Sequence, residues 1–206
     1  MKKFKRHGSV ISSQLGPEEV ALLRSLLVQL VELVNDDAPP GSSAGSGSGP
    51  SAESSVGPEP DAEPDPFAAW ARELDAGQEK VETPEDPVLR RLFPNAYADD
   101  PDAASEFRRF TERDLRAKKI SDAQVALDHL DQTAEGQREL RIPTAEAGAW
   151  LRSLTSLRLA LATRLGIEDA QVAEQLADLP DGDPRAYLAS VYDWLGFAQE
   201  TLINAL

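Results

Sequence analysis

The sequence has no cysteine among its 206 residues. Disulfides, thiol nucleophiles, zinc–thiolate sites and thiol redox switches are therefore excluded for this chain. Histidine is nearly as scarce, with only His7 and His129. Asp128 beside His129 does not make a hydrolytic pair, because adjacent helical residues diverge by about 100° and no motif supplies the serine. Positive charge is sparse too: 21 Lys and Arg stand against 36 Asp and Glu, for a formal net charge of −15. Cations that neutralise phosphates supply most of the affinity for nucleic acid, so this balance weighs against DNA as the main partner. There is no run of about 18 apolar residues, hence no expected membrane-spanning helix. No apolar stretch of a signal peptide follows the basic start MKKFKRHG, and a cytoplasmic location is the expectation.

Residues 36–65 consist of Pro, Gly, Ser, Ala and acidic residues with a single Val, without Lys, Arg, aromatics, Leu or Ile. Such a composition cannot bury enough apolar surface to offset its ordering entropy and predicts a disordered linker. Seven acids lie within it, so the rest of the chain is only moderately acidic, with 21 basic against 29 acidic residues. A Gly/Ser-rich linker of this length spans roughly 30 Å, enough to cross a small domain. The expected organisation is thus one domain with an insertion: residues 1–35 carry a hairpin and first helix, and 66–206 the helical remainder.

The fold class expected is mainly α, a multi-helix bundle with a small antiparallel β element. Residues 3–13 read as a hairpin about His7-Gly8. Pro17 and two acids open a helix whose stripe is Val20, Leu23, Leu27, Leu30, Val31 and Val34, and the off-stripe Leu22, Leu26 and Leu33 predict burial on more than one side. Short helices are expected at 67–74 and 87–92. Asp99, Asp100 and Pro101 cap a long helix over about 102–130, in which Ser121 and Gln124 offer a capping box. A strand near 138–142 follows and is expected to join the hairpin. Later helices begin at Pro143-Thr144, end at Gly166, run over about 169–178, and start again after Asp183-Pro184.

Within the long helix, residues 106–119 (EFRRFTERDLRAKK) hold six basic and three acidic side chains. At about 100° per residue, Phe107, Phe110 and Ala117 share one face, expected to be core, while Arg109, Arg113 and Arg116 line the other. These three arginines are the candidate partner-binding residues; the alternative is a solvated face paired with Glu106 and Glu112. Arg158 lies mid-stripe among Trp150, Leu151, Leu154, Leu157, Leu161 and Leu165. A buried guanidinium needs acceptors, so Arg158 is either a core ion pair, with Asp193, Glu106 or Glu112, or an anion site. The stretch 161–176 has the outline of a helix-turn-helix about Gly166. Its second helix carries Glu168, Asp169, Glu174 and Asp178 without Lys or Arg, the wrong sign for a phosphate-lined groove. No convergent acid–base constellation, metal-ligand cluster or cofactor motif is visible, so no enzyme, metal or cofactor is expected.

The segments DPVLRRLFPNAYADD, EFRRFTERDLRAKK and WLRSLTSLRLALATRLGI resemble an actinobacterial family first described as a domain of unknown function. That family is named for an oxidative-stress transcriptional regulator (AosR-like), and its genes often lie beside that of the Clp protease adaptor. The resemblance covers the hairpin, the first helix and about 86–206, and leaves out the linker. It implies a non-enzymatic regulator of stress-response transcription acting through protein contacts, with a sigma factor as partner. A homodimer, a small-molecule or anion sensor, and direct DNA binding remain as alternatives. Without cysteine, this chain departs from any thiol-sensing version of the family.

Overall fold

The computed structural model describes residues 1–36, 83–97, 99–180 and 182–206. The composition-based linker at 36–65 falls outside these residues except for Asp36, and the expected helix at 67–74 lies wholly outside them.

The chain opens with β1 (Lys5–His7) and β2 (Val10–Ser13), antiparallel, with His7 opposite Val10. Two residues make the turn, and Gly8 takes φ 63°, the left-handed conformation such tight hairpins require. A third strand, β3 (Leu140–Pro143), pairs antiparallel with β2 and places Ile142 opposite Ile11. Period-two alternation buries Leu140 and Ile142 and leaves Arg141 and Pro143 exposed. The strand expected after Gly136 therefore does complete the sheet, in the order β1-β2-β3.

α1 (Pro17–Asp36) begins where Glu19 reaches back to accept the Gly16 N–H at 2.7 Å, while the Met1 ammonium pairs with the same carboxylate. Val20, Leu23, Leu27, Leu30 and Val34 are buried, and Leu22, Leu26, Val31 and Leu33 also pack against the core. α2 (Pro87–Leu92) is capped by Asp86, whose side chain accepts from the Val88 N–H. α3 (Pro101–Gln132) is one uninterrupted helix of 32 residues, capped by Asp100 with Pro101 in the first turn. At 1.5 Å per residue it spans about 48 Å, and the helix passes through Ser121 without a restart.

After α3 the chain turns through Ala134, Glu135 and Gly136, all at positive φ. A Cβ at Gly136 would come within 2.9 Å of the Gly16 and Pro17 backbone, so this is where the α3 exit meets the α1 entry. α4 (Ala147–Leu165) starts later than Pro143-Thr144 suggests, because Pro143 still belongs to β3. It ends at Gly166, φ 71°. α5 (Ala170–Ala177) is capped by Asp169, and α6 (Ala186–Ile203) follows the turn at Asp183.

One apolar cluster contains Ile11 and Ile142 from the sheet, Leu27 from α1, Leu89 from α2, Leu130 from α3, Trp150 from α4 and Leu202 from α6. The residues before and after 37–82 thus build a common core. A smaller cluster of Leu165, Leu176 and Ala189 holds α5 against α4 and α6. The architecture is mainly α with a three-stranded antiparallel sheet.

Candidate functional site

The first half of α3 is built the other way round from what its apolar pattern predicts. Phe107 and Phe110 are exposed, Phe110 by 65%, and Leu115 is exposed as well. The buried side chains are Ala104, Arg108, Glu112 and Arg116, the three charged ones each no more than 6% exposed. Residues four apart on a helix advance by only about 40°, so these four make one stripe, with Phe110 about half a turn away. Arg116 is therefore not part of a solvent face. Charged side chains occupy the inward stripe because they satisfy one another and the ends of two neighbouring helices.

The Glu112 carboxylate sits between the two guanidiniums. It accepts from Arg116 Nε at 2.9 Å and Nη2 at 2.6 Å, and from Arg108 Nη1 on its other oxygen. Arg116 Nη1 donates to the Val34 carbonyl at 2.6 Å, in the last turn of α1. That turn has no basic residue of its own, so Arg116 meets the negative end of the α1 dipole from another helix. Arg108 Nη2 donates to Asn95 Oδ1 at 2.6 Å and to the Phe93 carbonyl at 3.2 Å, just past α2. The Arg116 guanidinium also lies 4.8 Å from the Phe93 ring centroid. This triad ties the end of α1 and the exit of α2 to one stripe of α3.

Because that stripe is satisfied from inside, the opposite face of α3 is left to solvent. Phe107 meets Tyr97 edge-on at 5.9 Å, and the Arg109 guanidinium lies 4.5 Å from the Phe110 ring centroid. Arg109 and Arg113 are exposed and lie on the Phe110 side of the aromatic pair. Of the three arginines singled out by spacing, these two share a surface and Arg116 stands behind it.

On the edge of α3 that carries Leu115, two hollows lie end to end. One, of about 240 Å³, is walled by Phe93, Ala104, Phe107 and Leu115, and the other, of about 230 Å³, by Lys118, Arg152, Ser153 and Ser156. Leu115 and Lys119 line both. Buried Asp122 accepts from Arg152 Nε at 2.7 Å and Lys118 at 2.9 Å. Burial pushes the Asp122 carboxyl up, but the hydrogen bonds from Arg152 and Lys118 outweigh it and hold the group below the ordinary range. Burial draws the Lys119 ammonium down, opposed by the charge of Asp122.

Arg158 is half-buried, and no carboxylate meets it among the described residues. Its Nη1 donates to Gln199 Oε1 at 2.8 Å, its Nη2 to the Tyr192 hydroxyl at 3.3 Å, and the guanidinium faces the Tyr192 ring at 4.9 Å. Its Nε is buried without a partner. The expected ion pair with Asp193, Glu106 or Glu112 is not formed: Glu112 belongs to the triad, and Asp193 points to solvent one position round α6 from Tyr192. His129 is buried. Its Nδ1 accepts from Trp150 Nε1 at 3.0 Å, so the proton sits on Nε2, which faces Glu146 at 2.9 Å. Both ring nitrogens are committed to packing, away from Asp128. The described residues contain no group of three or more metal-ligand side chains, and none of their helices is long and apolar enough to cross a membrane.

A family model described as a domain of unknown function (DUF2017) matches residues 1–206. The chain belongs to that family. A Mycobacterium leprae protein named as an oxidative stress regulator, AosR, is 32% identical over 220 residues, covering 100% of this chain and 88% of its own length. The oxidative stress regulators AosR of Mycobacterium bovis and of Mycobacterium tuberculosis strain H37Rv are each 29% identical over 211 residues, spanning 98% of this chain and 84% of theirs. No solved structure matches. The DUF2017 relatives thus align across the hairpin, α3 and α6 alike, not through one block alone.

Proposed function

We propose that this chain is a non-enzymatic regulator of stress-response transcription that works through protein–protein contact, with the outward face of α3 as its contact surface and a sigma factor as its partner. The regulatory part of this reading draws on the names of the mycobacterial relatives. One observation carries the contact surface: Phe107 and Phe110 stand exposed beside Arg109 and Arg113, on a helix whose inward stripe is charged. Aromatic and Arg side chains are the types enriched at interface centres. Arg116 contributes from behind, by holding α3 to α1. Direct DNA reading by α5 finds no support, since the exposed residues Glu168, Asp169, Glu174 and Asp178 surround it.

The test uses the full chain immobilised and the alternative sigma factors of its own cell, each purified. One of them should be retained by the wild type and held at least about tenfold more weakly by Arg109→Glu/Arg113→Glu and by Phe110→Glu, with melting temperatures unchanged. Retention of none, or equal retention by the variants, sinks the reading.

A further inference from the structure

The groove along the Leu115 edge of α3 meets the Arg109/Arg113 face at Phe107 and extends away from it, beyond the contact surface above. Its centre is Lys119. This ammonium is half-buried, donates to the Ser156 hydroxyl at 3.2 Å and lies 5.6 Å from the Phe93 ring centroid. No carboxylate lies within ion-pair distance of it among the described residues. The charge of Asp122 acts on it, but that carboxylate is already hydrogen-bonded to Lys118 and Arg152, so a further anion would relieve the desolvation of this ammonium. It stands where the two hollows join, one on each side. In the wall of the second hollow, the Ser153 hydroxyl is buried and has no hydrogen-bond partner. Lys118 and Arg152 border the same hollow, and Asp122 is the single acid there. The local charge is thus positive in a chain of net charge −15.

We propose that this groove binds an acidic amphipathic helix of a partner protein, with one large apolar side chain in each hollow and a carboxylate between them on Lys119. Each hollow is smaller than the roughly 300–1,000 Å³ typical of small-molecule sites. Exposed Leu115 lines both of them. Their centres lie on the order of 10–15 Å apart along the helix, about two to three turns of an incoming helix. Apolar anchors at that spacing on one face are how helices seat in grooves. The excess of Lys118, Lys119 and Arg152 over Asp122 selects acid, not base, between the anchors.

The probe is a fluorescein-labelled helical peptide with two Leu two turns apart and Glu between and beside them, titrated with the full chain by fluorescence anisotropy. A Lys-for-Glu version and a version with Ser anchors are the comparisons. The acidic two-anchor peptide should bind, weaken with added salt, and lose about tenfold or more in affinity on Lys119→Glu and on Leu115→Glu. Arg109→Glu/Arg113→Glu should bind it as the wild type does, so peptide binding and sigma-factor retention fail or succeed independently. Equal binding of the Lys-rich peptide, no binding at all, or indifference to Lys119→Glu overturns the proposal. So does sedimentation showing self-association that Leu115→Glu abolishes, which assigns the groove to a second copy. Thermal stabilisation by inorganic phosphate that depends on Lys119, without peptide binding, assigns it instead to a small anion.

Discussion

Removal of the Glu112 carboxylate is the sharpest test of how α3 is held. In Glu112→Ala the two guanidiniums stay buried: Arg108 keeps Asn95 and the Phe93 carbonyl, and Arg116 keeps the Val34 carbonyl. Each loses its ion pair with Glu112. Losing the hydrogen bonds alone would cost about 1.5–3 kcal/mol. Removing the shared buried counter-charge raises the expected loss to about 3–5 kcal/mol. Desolvation decides the larger figure, since an exposed pair of the same kind would contribute about 1 kcal/mol or less. For a chain of this size, that loss lowers the melting temperature by roughly 6–20 °C.

The assay is thermal and urea unfolding followed by circular dichroism, with amide exchange as the spatial readout. Exchange should accelerate first at the last turn of α1 and just after α2, where Arg116 and Arg108 donate to backbone carbonyls. The triple variant Arg108→Met/Glu112→Leu/Arg116→Met separates charge from packing. It should regain most of the stability lost by the single variant, because apolar replacement of a whole buried triad is often neutral or stabilising by about 1–4 kcal/mol. A Glu112→Ala variant within about 1 kcal/mol of wild type would refute the reasoning. A triple variant as unstable as the single one would show that charge is not the cause.

Other consequences are simpler to check. The Asp122 carboxyl is held below its unfolded value of about 4, so its contribution is complete above that pH and is lost as pH falls through the folded value. Acid unfolding of Asp122→Asn should therefore be shallower than wild type below about pH 4, with the two converging at low pH. Gly136→Ala should destabilise clearly more than Gly166→Ala: both have positive φ, but only at Gly136 does the new Cβ meet backbone at 2.9 Å. The expected cost at Gly166 is about 1–2 kcal/mol, from the left-handed conformation alone, measured by urea unfolding. Arg158→Met should cost under about 1 kcal/mol, because no carboxylate is left behind and one buried N–H without a partner is removed. A loss of about 3 kcal/mol or more would mean that Arg158 serves a charge pair after all.

Local signals made most elements readable. Asp100-Pro101 before α3, Gly166 after α4 and Asp169 before α5 each act within a few residues of themselves, and each does in the structure what its chemistry suggests. The strand at Leu140 was readable as well, because period-two burial needs only its own residues. The facing of α3 was not. An apolar-stripe rule puts Phe107 and Phe110 inside, yet the acceptors that make a charged stripe the better inward face are Phe93, Asn95 and Val34. Val34 lies 82 residues away from Arg116. The i, i+4 spacing of Arg108, Glu112 and Arg116 is ordinarily a solvent-side pairing pattern. Arg158 failed for a related reason. One position along α6 is about 100° of rotation, so Tyr192 meets the guanidinium and Asp193 does not.

The absence of cysteine bears on how a chain related to oxidative stress regulators would receive its signal. Thiol oxidation and disulfide formation cannot occur within these 206 residues, and the single methionine is Met1. The polar groups deepest in the fold do not offer a substitute. His129 has both nitrogens committed, and the Arg108-Glu112-Arg116 triad is satisfied on every side that the fold presents. On the reading proposed here, oxidant chemistry then belongs to the partner, and this chain answers it through whether α3 is occupied. The oxidation state of the partner, not of this chain, should set retention in the sigma-factor assay. Pretreating each component separately with hydrogen peroxide distinguishes the two: an effect that follows treatment of this chain alone would place the sensor here and overturn that division of labour.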